Sequence, residues 1–137
     1  METIKLATLL VVDGLGPLFA KEKKSVWRIM VPEKDNHGRR FSNRCHRNWE
    51  QTVINISHGW TIHKPARGAW QEEMNERVQF EEMRPVDIIC SEKEIKDIVE
   101  MTAHHYMQIE VLAYKLSDHI IDNHREMYRN RALSRRG

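Results

Sequence analysis

Four positions in this chain carry side chains suited to holding a ligand: Trp70, the pair Glu81 and Glu82, and Gln108. A tryptophan face stacks on a flat base and attracts a cation, a carboxylate offsets positive charge, and an amide reads a polar edge. Together they suit a small molecule that has both a flat base and a positive charge. Trp70 lies in the stretch "GWTIHKPARGAWQEE", residues 59–73, where Trp60 is a second aromatic candidate. The competing reading is structural: the tryptophans pack a sheet, the glutamates are solvated, and Gln108 caps the end of a helix.

Other reactive residue types give weaker patterns. There are eight histidines, but His104 and His105 are adjacent on an expected helix and so point roughly 100° apart. His119 and His124 are five apart, and no pair has the i, i+4 spacing around a glutamate that zinc peptidases use. Structural or surface roles are therefore expected for the histidines, with no metal and no cofactor. "DGLG", residues 13–16, lacks the lysine and the strand–loop–helix frame of a phosphate loop. Cys45 and His46 are neighbours, and adjacency alone does not make a nucleophile–base pair. Arg39 and Arg40, together with Arg125, Arg129, Arg131, Arg135 and Arg136 near the C-terminus, are candidates for phosphate or nucleic-acid contacts.

Positioning these residues falls to a short series of elements. Residues 4–12, "IKLATLLVV", form either a strand or a short apolar helix, and a turn follows at Asp13–Gly14 and Gly16–Pro17. Residues 26–32, "VWRIMVP", read as a strand that Pro32 ends. Residues 43–56 place Cys45, Trp49, Val53 and Ile56 at helical spacing, and Gly59 is expected to stop that helix. Trp60 and Ile62 begin a strand that Lys64–Pro65 interrupts, and Gly68 invites a bulge before Trp70. "QEEMNE" then reads as a hairpin connection. The next strand, "VQFEEMRPVDIIC", is expected to be bulged or split at Pro85, which has no amide hydrogen to donate. Ser91 and Glu94 form a capping-box signature for a helix on which Ile95, Ile98, Val99, Thr102 and Tyr106 recur. The last strand, "IEVLAYKL", would start just after Gln108.

The order strand, helix, strand, strand, helix, strand predicts an α+β, ferredoxin-like βαββαβ sandwich: a four-stranded antiparallel sheet with two helices on one face. The expected organisation is an N-terminal leader (residues 1–24), one domain (residues 25–118) and a basic C-terminal tail (residues 119–137). Helices on one side leave the other sheet face open. With four tryptophans in the chain, that face is expected to meet copies of itself, the leader or a ligand. A chain of 137 residues, 40% hydrophobic and 31% charged, is large enough for one metal-independent core and too apolar for a disordered polymer. Its net charge of +2 selects no partner. The two cysteines, Cys45 and Cys90, are expected to be free thiols in a reducing, cytoplasmic compartment. The apolar leader is too short to span a bilayer.

Over residues 26–116 the pattern resembles the phage S-adenosylmethionine lyases, a family of small ferredoxin-like proteins that work as trimers with sites between subunits. The resemblance rests on Gly59–Trp60 after the first helix, "GAWQE" (residues 68–72), the acidic pair ahead of an apolar run in "EEMRPVDIIC", and "QIEVLAY" beginning at Gln108. Trp70 stands where the family tends to carry tyrosine, Pro85 has no counterpart in the pattern, and the leader is longer. The resemblance implies intramolecular cleavage of S-adenosylmethionine to methylthioadenosine and homoserine lactone, a phage counter-measure against restriction. It also implies roles for Glu81 or Glu82 on the substrate ammonium and for Trp70, Trp60 and Gln108 in binding. The alternative from another class is a non-catalytic oligomer that sequesters a nucleotide, and a third is a nucleic-acid binder using the C-terminal arginines. Acids in the pocket favour a sulfonium–ammonium ligand, whereas phosphates would want arginines.

Overall fold

The computed structural model describes residues 22–121. Most of the expected leader and tail, including the C-terminal arginines, lies outside them. The described chain runs β1 (Lys24–Pro32), α1 (Asn43–Ser57), β2 (Thr61–Ile62), β3 (Ala66–Gln71), β4 (Val78–Ser91), α2 (Glu92–His105) and β5 (Ala113–Ser117). All pairings are antiparallel. The sheet order is β2–β4–β1–β5, with β3 also pairing β4 beyond β2. This is the ferredoxin-like arrangement expected, with its second strand divided in two and five strands in all.

Both helices begin where local chemistry favours it. Ser42 caps α1 by accepting from the Cys45 amide at 3.1 Å. Ser91 caps α2 in a full capping box, in which its hydroxyl accepts from the Glu94 amide at 3.1 Å and the Glu94 carboxylate accepts from the Ser91 amide at 2.9 Å. The end of α1 corrects the expectation for Gly59. His58 takes the left-handed conformation (φ 69°), and its amide closes the helix on the Ile54 carbonyl at 2.8 Å.

The core lies between the helices and one sheet face. Ile29 and Val31 of β1, with Val86, Ile88 and Cys90 of β4, meet Trp49 and Val53 of α1, Ile95 and Ile98 of α2, and Tyr106. Trp49 is fully buried, and its indole donates to the Thr102 hydroxyl at 2.8 Å. Packing of this kind, with the few buried polar atoms mostly paired, supplies most of the stability of a small domain.

Three strand expectations need correction. β4 is neither bulged nor split at Pro85: its register with β1 runs evenly from Lys24 opposite Ser91 to Pro32 opposite Met83. In a strand the N–H and C=O of one residue point to the same side, and the Pro85 carbonyl accepts from His63 at 2.9 Å. The missing donor therefore faces the gap at Lys64–Pro65 between β2 and β3, where no ladder bond is needed. Gly68 forms no bulge and pairs in register with Glu81. The last strand begins at Ala113 rather than next to Gln108, because residues 107–112 first leave the end of α2 as a loop.

Candidate functional site

β4 is longer than the strand beside it. Its register with β1 ends at Met83, with one further backbone bond from the Glu33 amide to the Glu82 carbonyl at 3.1 Å, so residues 78–81 are paired only by β3, and the two strands project past the sheet as a two-stranded arm. The turn at its tip is closed by Glu72 and Arg77 and by Gln71 and Glu76. The register puts Trp70 opposite Gln79 and Gly68 opposite Glu81. Paired residues share a face and side chains alternate, so Trp70 and Glu81 stand on the sheet face away from the helices. Trp70 is 49% exposed. Glu81 is exposed, and its carboxylate makes no hydrogen bond or ion pair among the described residues. Between them Gly68 leaves room that the Met83 methyl fills, and a Cβ there would collide with it.

The glutamate pair divides. Glu82 points to the opposite face, where Arg40 bonds its two oxygens at 3.3 and 3.2 Å and Lys34 lies at 3.4 Å. The Arg40 hydrogen bonds, then Lys34, hold its carboxyl below the usual range. The same ion network continues inward from Arg40 to Glu33 (3.8 Å), from Glu33 to Arg84 (2.7 Å) and from Arg84 to Glu50 (3.6 Å). Glu82 thus anchors the base of the arm to the loop after β1, whereas Glu81 is the uncommitted acid.

Gln108 and Trp60 stand apart from these residues. Gln108 follows the structural reading: its amide bonds the Ala103 carbonyl at 2.9 Å, and its side chain donates to the Tyr106 carbonyl at 3.0 Å, closing α2. The loop it starts lies at the end of the sheet from which the arm projects, where the Leu112 carbonyl accepts from the Met30 amide at 3.0 Å, but no hydrogen bond joins Gln108 to Trp70 or Glu81. Trp60 is half-buried against the core and donates to the Glu50 carbonyl at 3.0 Å. It lines a separate cleft with Asp87, Thr61 and Ile89 at the other end of the sheet.

One polar cluster on the open face was missed. Arg28 grips Asp87 with two bonds, at 2.6 and 3.0 Å, and His63 meets the same carboxylate at 2.7 Å. Arg28 first and then His63 hold the Asp87 carboxyl below its ordinary value. A lone acid inside "VDIIC" is the signal that could have found it, since such a residue needs a partner on a neighbouring strand. Under the helices, His46 is buried and its Nδ1 meets the Tyr106 hydroxyl at 2.7 Å. Burial, then Arg84, pushes the His46 imidazole down, and burial pushes the Tyr106 phenol up. Cys45 lies 3.4 Å from His105 rather than pairing with His46. Because His105 Nε2 also lies 2.8 Å from the Cys45 carbonyl, which can only accept, it carries its proton there and cannot serve as a base for the thiol. Burial raises the Cys45 thiol further from the reactive thiolate. Among the described residues no three His, Cys, Asp or Glu side chains are grouped to hold a metal ion, and no helix is long and apolar enough to cross a membrane.

The sequence matches no protein-family model and no curated protein. Solved structures share the fold at low identity. One is a phage S-adenosylmethionine lyase in complex with S-methyl-5'-thioadenosine, with 13% identity and a TM-score of 0.53, covering 75% of this chain and 88% of that one. Similar to the same degree are CutA1 from Oryza sativa, with 13% identity, a TM-score of 0.54 and coverage of 78% and 87%, and the periplasmic divalent cation tolerance protein CutA from Archaeoglobus fulgidus. The latter has 8% identity, a TM-score of 0.53 and coverage of 76% and 90%. The likeness is one of fold.

Proposed function

We propose that this chain is an S-adenosylmethionine lyase acting as a homo-oligomer, most simply a trimer, with the arm face of one copy completing a site against another. The observation that carries the reading is the pairing of an exposed tryptophan with an uncommitted carboxylate two residue pairs away on one face of the arm. The phage lyase that shares the fold, bound to S-methyl-5'-thioadenosine, adds to it.

The reaction asks little of the protein, because the substrate holds both reacting groups. Its carboxylate oxygen bonds to Cγ while the Cγ–sulfur bond breaks, and the bonding pair goes to sulfur. The sulfonium becomes the neutral thioether of methylthioadenosine, and the rest closes as homoserine lactone with its ammonium unchanged. No general base is needed. What the site supplies is a folded substrate conformation and a suitable field. Trp70 stacks on the adenine or faces the sulfonium, and Glu81 holds the ammonium. Gln108 and Trp60 belong to the site only if a neighbouring copy brings them to it. Such an activity belongs in the cytoplasm, where methyl donors are used, and there it would disarm restriction systems that depend on them.

The purified protein incubated with S-adenosylmethionine, with nothing added, should release methylthioadenosine and homoserine lactone. Intact substrate after prolonged incubation would end the lyase reading. A second reading, sequestration of a nucleotide without chemistry, is favoured by Lys34 and Arg40 at the base of the arm, which suit a phosphate once Glu82 is displaced. Calorimetry that finds a tightly bound nucleotide surviving unchanged would select it.

A further inference from the structure

Where the arm joins the sheet, several titratable side chains meet between α1 and β4, and the proposed reaction uses none of them. Glu33 follows β1 directly and is buried. Its carboxylate lies 2.7 Å from Arg84 and 3.8 Å from Arg40. Arg40 also bonds Glu82, so this one side chain links the buried carboxylate to the arm. The two arginines differ in cover: the Arg84 side chain is 21% exposed and that of Arg40 61%. Backbone bonds tie the same region together, from the Glu33 amide to the Glu82 carbonyl and from the Phe41 amide to the Glu33 carbonyl, each at 3.1 Å.

His46 adds a latent charge to that region. It stands on α1, 4% exposed, with Phe41 edge-on to its ring at 6.2 Å and Tyr106 at 5.5 Å between centroids. Its Nδ1 meets the Tyr106 hydroxyl at 2.7 Å, and its Nε2 is enclosed with no partner. The charged and titratable groups around it and Tyr106 are Arg84 from β4, Glu33 from the loop after β1, His105 at the end of α2, and Cys45 and Glu50 on α1 itself. Arg84 and His105 oppose a positive ring, and Glu33 attracts one. A neutral imidazole has one N–H, whereas the imidazolium has two. The added proton makes both nitrogens donors, and a buried donor without an acceptor is costly. The acceptor that already attracts the ring is the Glu33 carboxylate, which two arginines share.

We propose that His46 is a proton-sensitive latch for the arm: its imidazolium takes a share of the Glu33 carboxylate, Arg40 lets go, and the arm moves more freely about its base. Arg40 yields rather than Arg84 because its contact is the longer one and its exposed guanidinium passes into water at little cost. Burial, then Arg84, lowers His46 from 6.5, so the latch is closed at neutral pH and its midpoint lies below that value. Glu82 does not open it independently, since Arg40 and then Lys34 hold its carboxyl below the usual range and it stays ionised while His46 titrates. The assignment does not depend on the proposed activity.

The test is NMR on the full chain, following the His46 ring and the backbone amides together as the pH is lowered from 7. As the ring titrates, relaxation of the amides should report greater mobility for residues 66–82 and for Glu33, with the same midpoint. The amides of Ile29, Val86 and Ile98 in the core should stay unchanged. His46→Gln should abolish the transition. Arg40→Gln, at an exposed position, should give the mobile arm already at pH 7, with no further change in acid. An arm that stays rigid while the ring titrates, loosening that survives His46→Gln, arm and core loosening together, or an Arg40→Gln arm as rigid at pH 7 as in the unaltered protein would each overturn the proposal.

Discussion

β4 passes through two environments in fourteen residues. At its C-terminal end Val86, Ile88 and Cys90 are fully buried under the helices, while at its N-terminal end Phe80 is 66% exposed and Val78 stands nearly as open on the same strand face. The alternation is unbroken, so the strand itself does not decide the difference; the helices do. A two-stranded ribbon is marginal in water by itself. The arm is held instead by continuity with the sheet and by the ion network at its base, from Glu82 through Arg40 to Glu33 and Arg84. The covered half thus spends its residues on stability, whereas the arm leaves an aromatic and an acid exposed on one face.

The largest effect should come from making the same truncation in each half. Trp49→Ala removes a fully buried ring and leaves the Thr102 hydroxyl without its indole donor, so it should cost roughly 3–5 kcal/mol in a denaturant titration. Trp70→Ala, on the arm, should change monomer stability by no more than about 0.5 kcal/mol. Its effect should appear in substrate binding, and Trp70→Tyr should restore most of it. Equal stability losses for the two alanine variants would break the comparison.

Next come the two glutamates, which differ by face rather than by position. Glu81→Gln should reduce the specificity constant for S-adenosylmethionine by about 10- to 150-fold, the range for a charged hydrogen bond of roughly 1.5–3 kcal/mol. Glu82→Gln should leave turnover close to that of the unaltered protein and loosen the Arg40 and Lys34 contacts, visible as faster amide exchange at the base of the arm. The reverse ranking would move the site to the helix-side face.

The periodic elements were legible because their signals are local. The capping box at Ser91 and Glu94, the helix carrying Trp49 and Val53, and the strand ending at Pro32 all follow from neighbours in sequence. Pro85 was misread because its tolerance depends on a gap contributed by Lys64 and Pro65, residues about twenty positions away. The division of Glu81 from Glu82 follows from strand alternation and was readable in principle. What it meant for the site was not, because the partners Arg40 and Lys34 come from a loop that only folding brings alongside. Gln108 was drawn into the site by its place before an apolar run, but the left-handed turn at Met107 (φ 52°) spends it on closing α2.

Acid should distinguish the faces by window. The covered His46 has its pKa lowered by burial, so the folded state resists protonation while the unfolded chain takes a proton near 6.5. Its contribution to stability is complete above 6.5 and declines as pH falls below it. The open-face Asp87 is also lowered, from 3.8, by Arg28 and His63, so its contribution is complete above that value and is lost only in stronger acid. Stability measured from pH 7 to 5 should therefore fall in the unaltered protein and flatten in His46→Gln, while Asp87→Asn should leave the slope in that interval unchanged.

The smallest effect should come from Gly68→Ala. The added Cβ would strike the Met83 methyl, which is the end of a flexible, partly exposed side chain rather than backbone. Overpacking in a closed core costs roughly 1–3 kcal/mol because nothing can move aside. Here Met83 can swing outward, and replacing a strand glycine also lowers the entropy of the unfolded chain by an amount worth about 0.4–1 kcal/mol. Because Gly68 does not take a positive φ, alanine adds no backbone strain. The two terms nearly cancel, and the denaturation midpoint should hardly move. The displaced methyl, however, has to go onto the face that Trp70 and Glu81 share, so substrate binding should weaken while stability does not. A clear loss of stability instead would mean that the arm is packed as tightly as the helix-covered half, and the contrast between the two would fail.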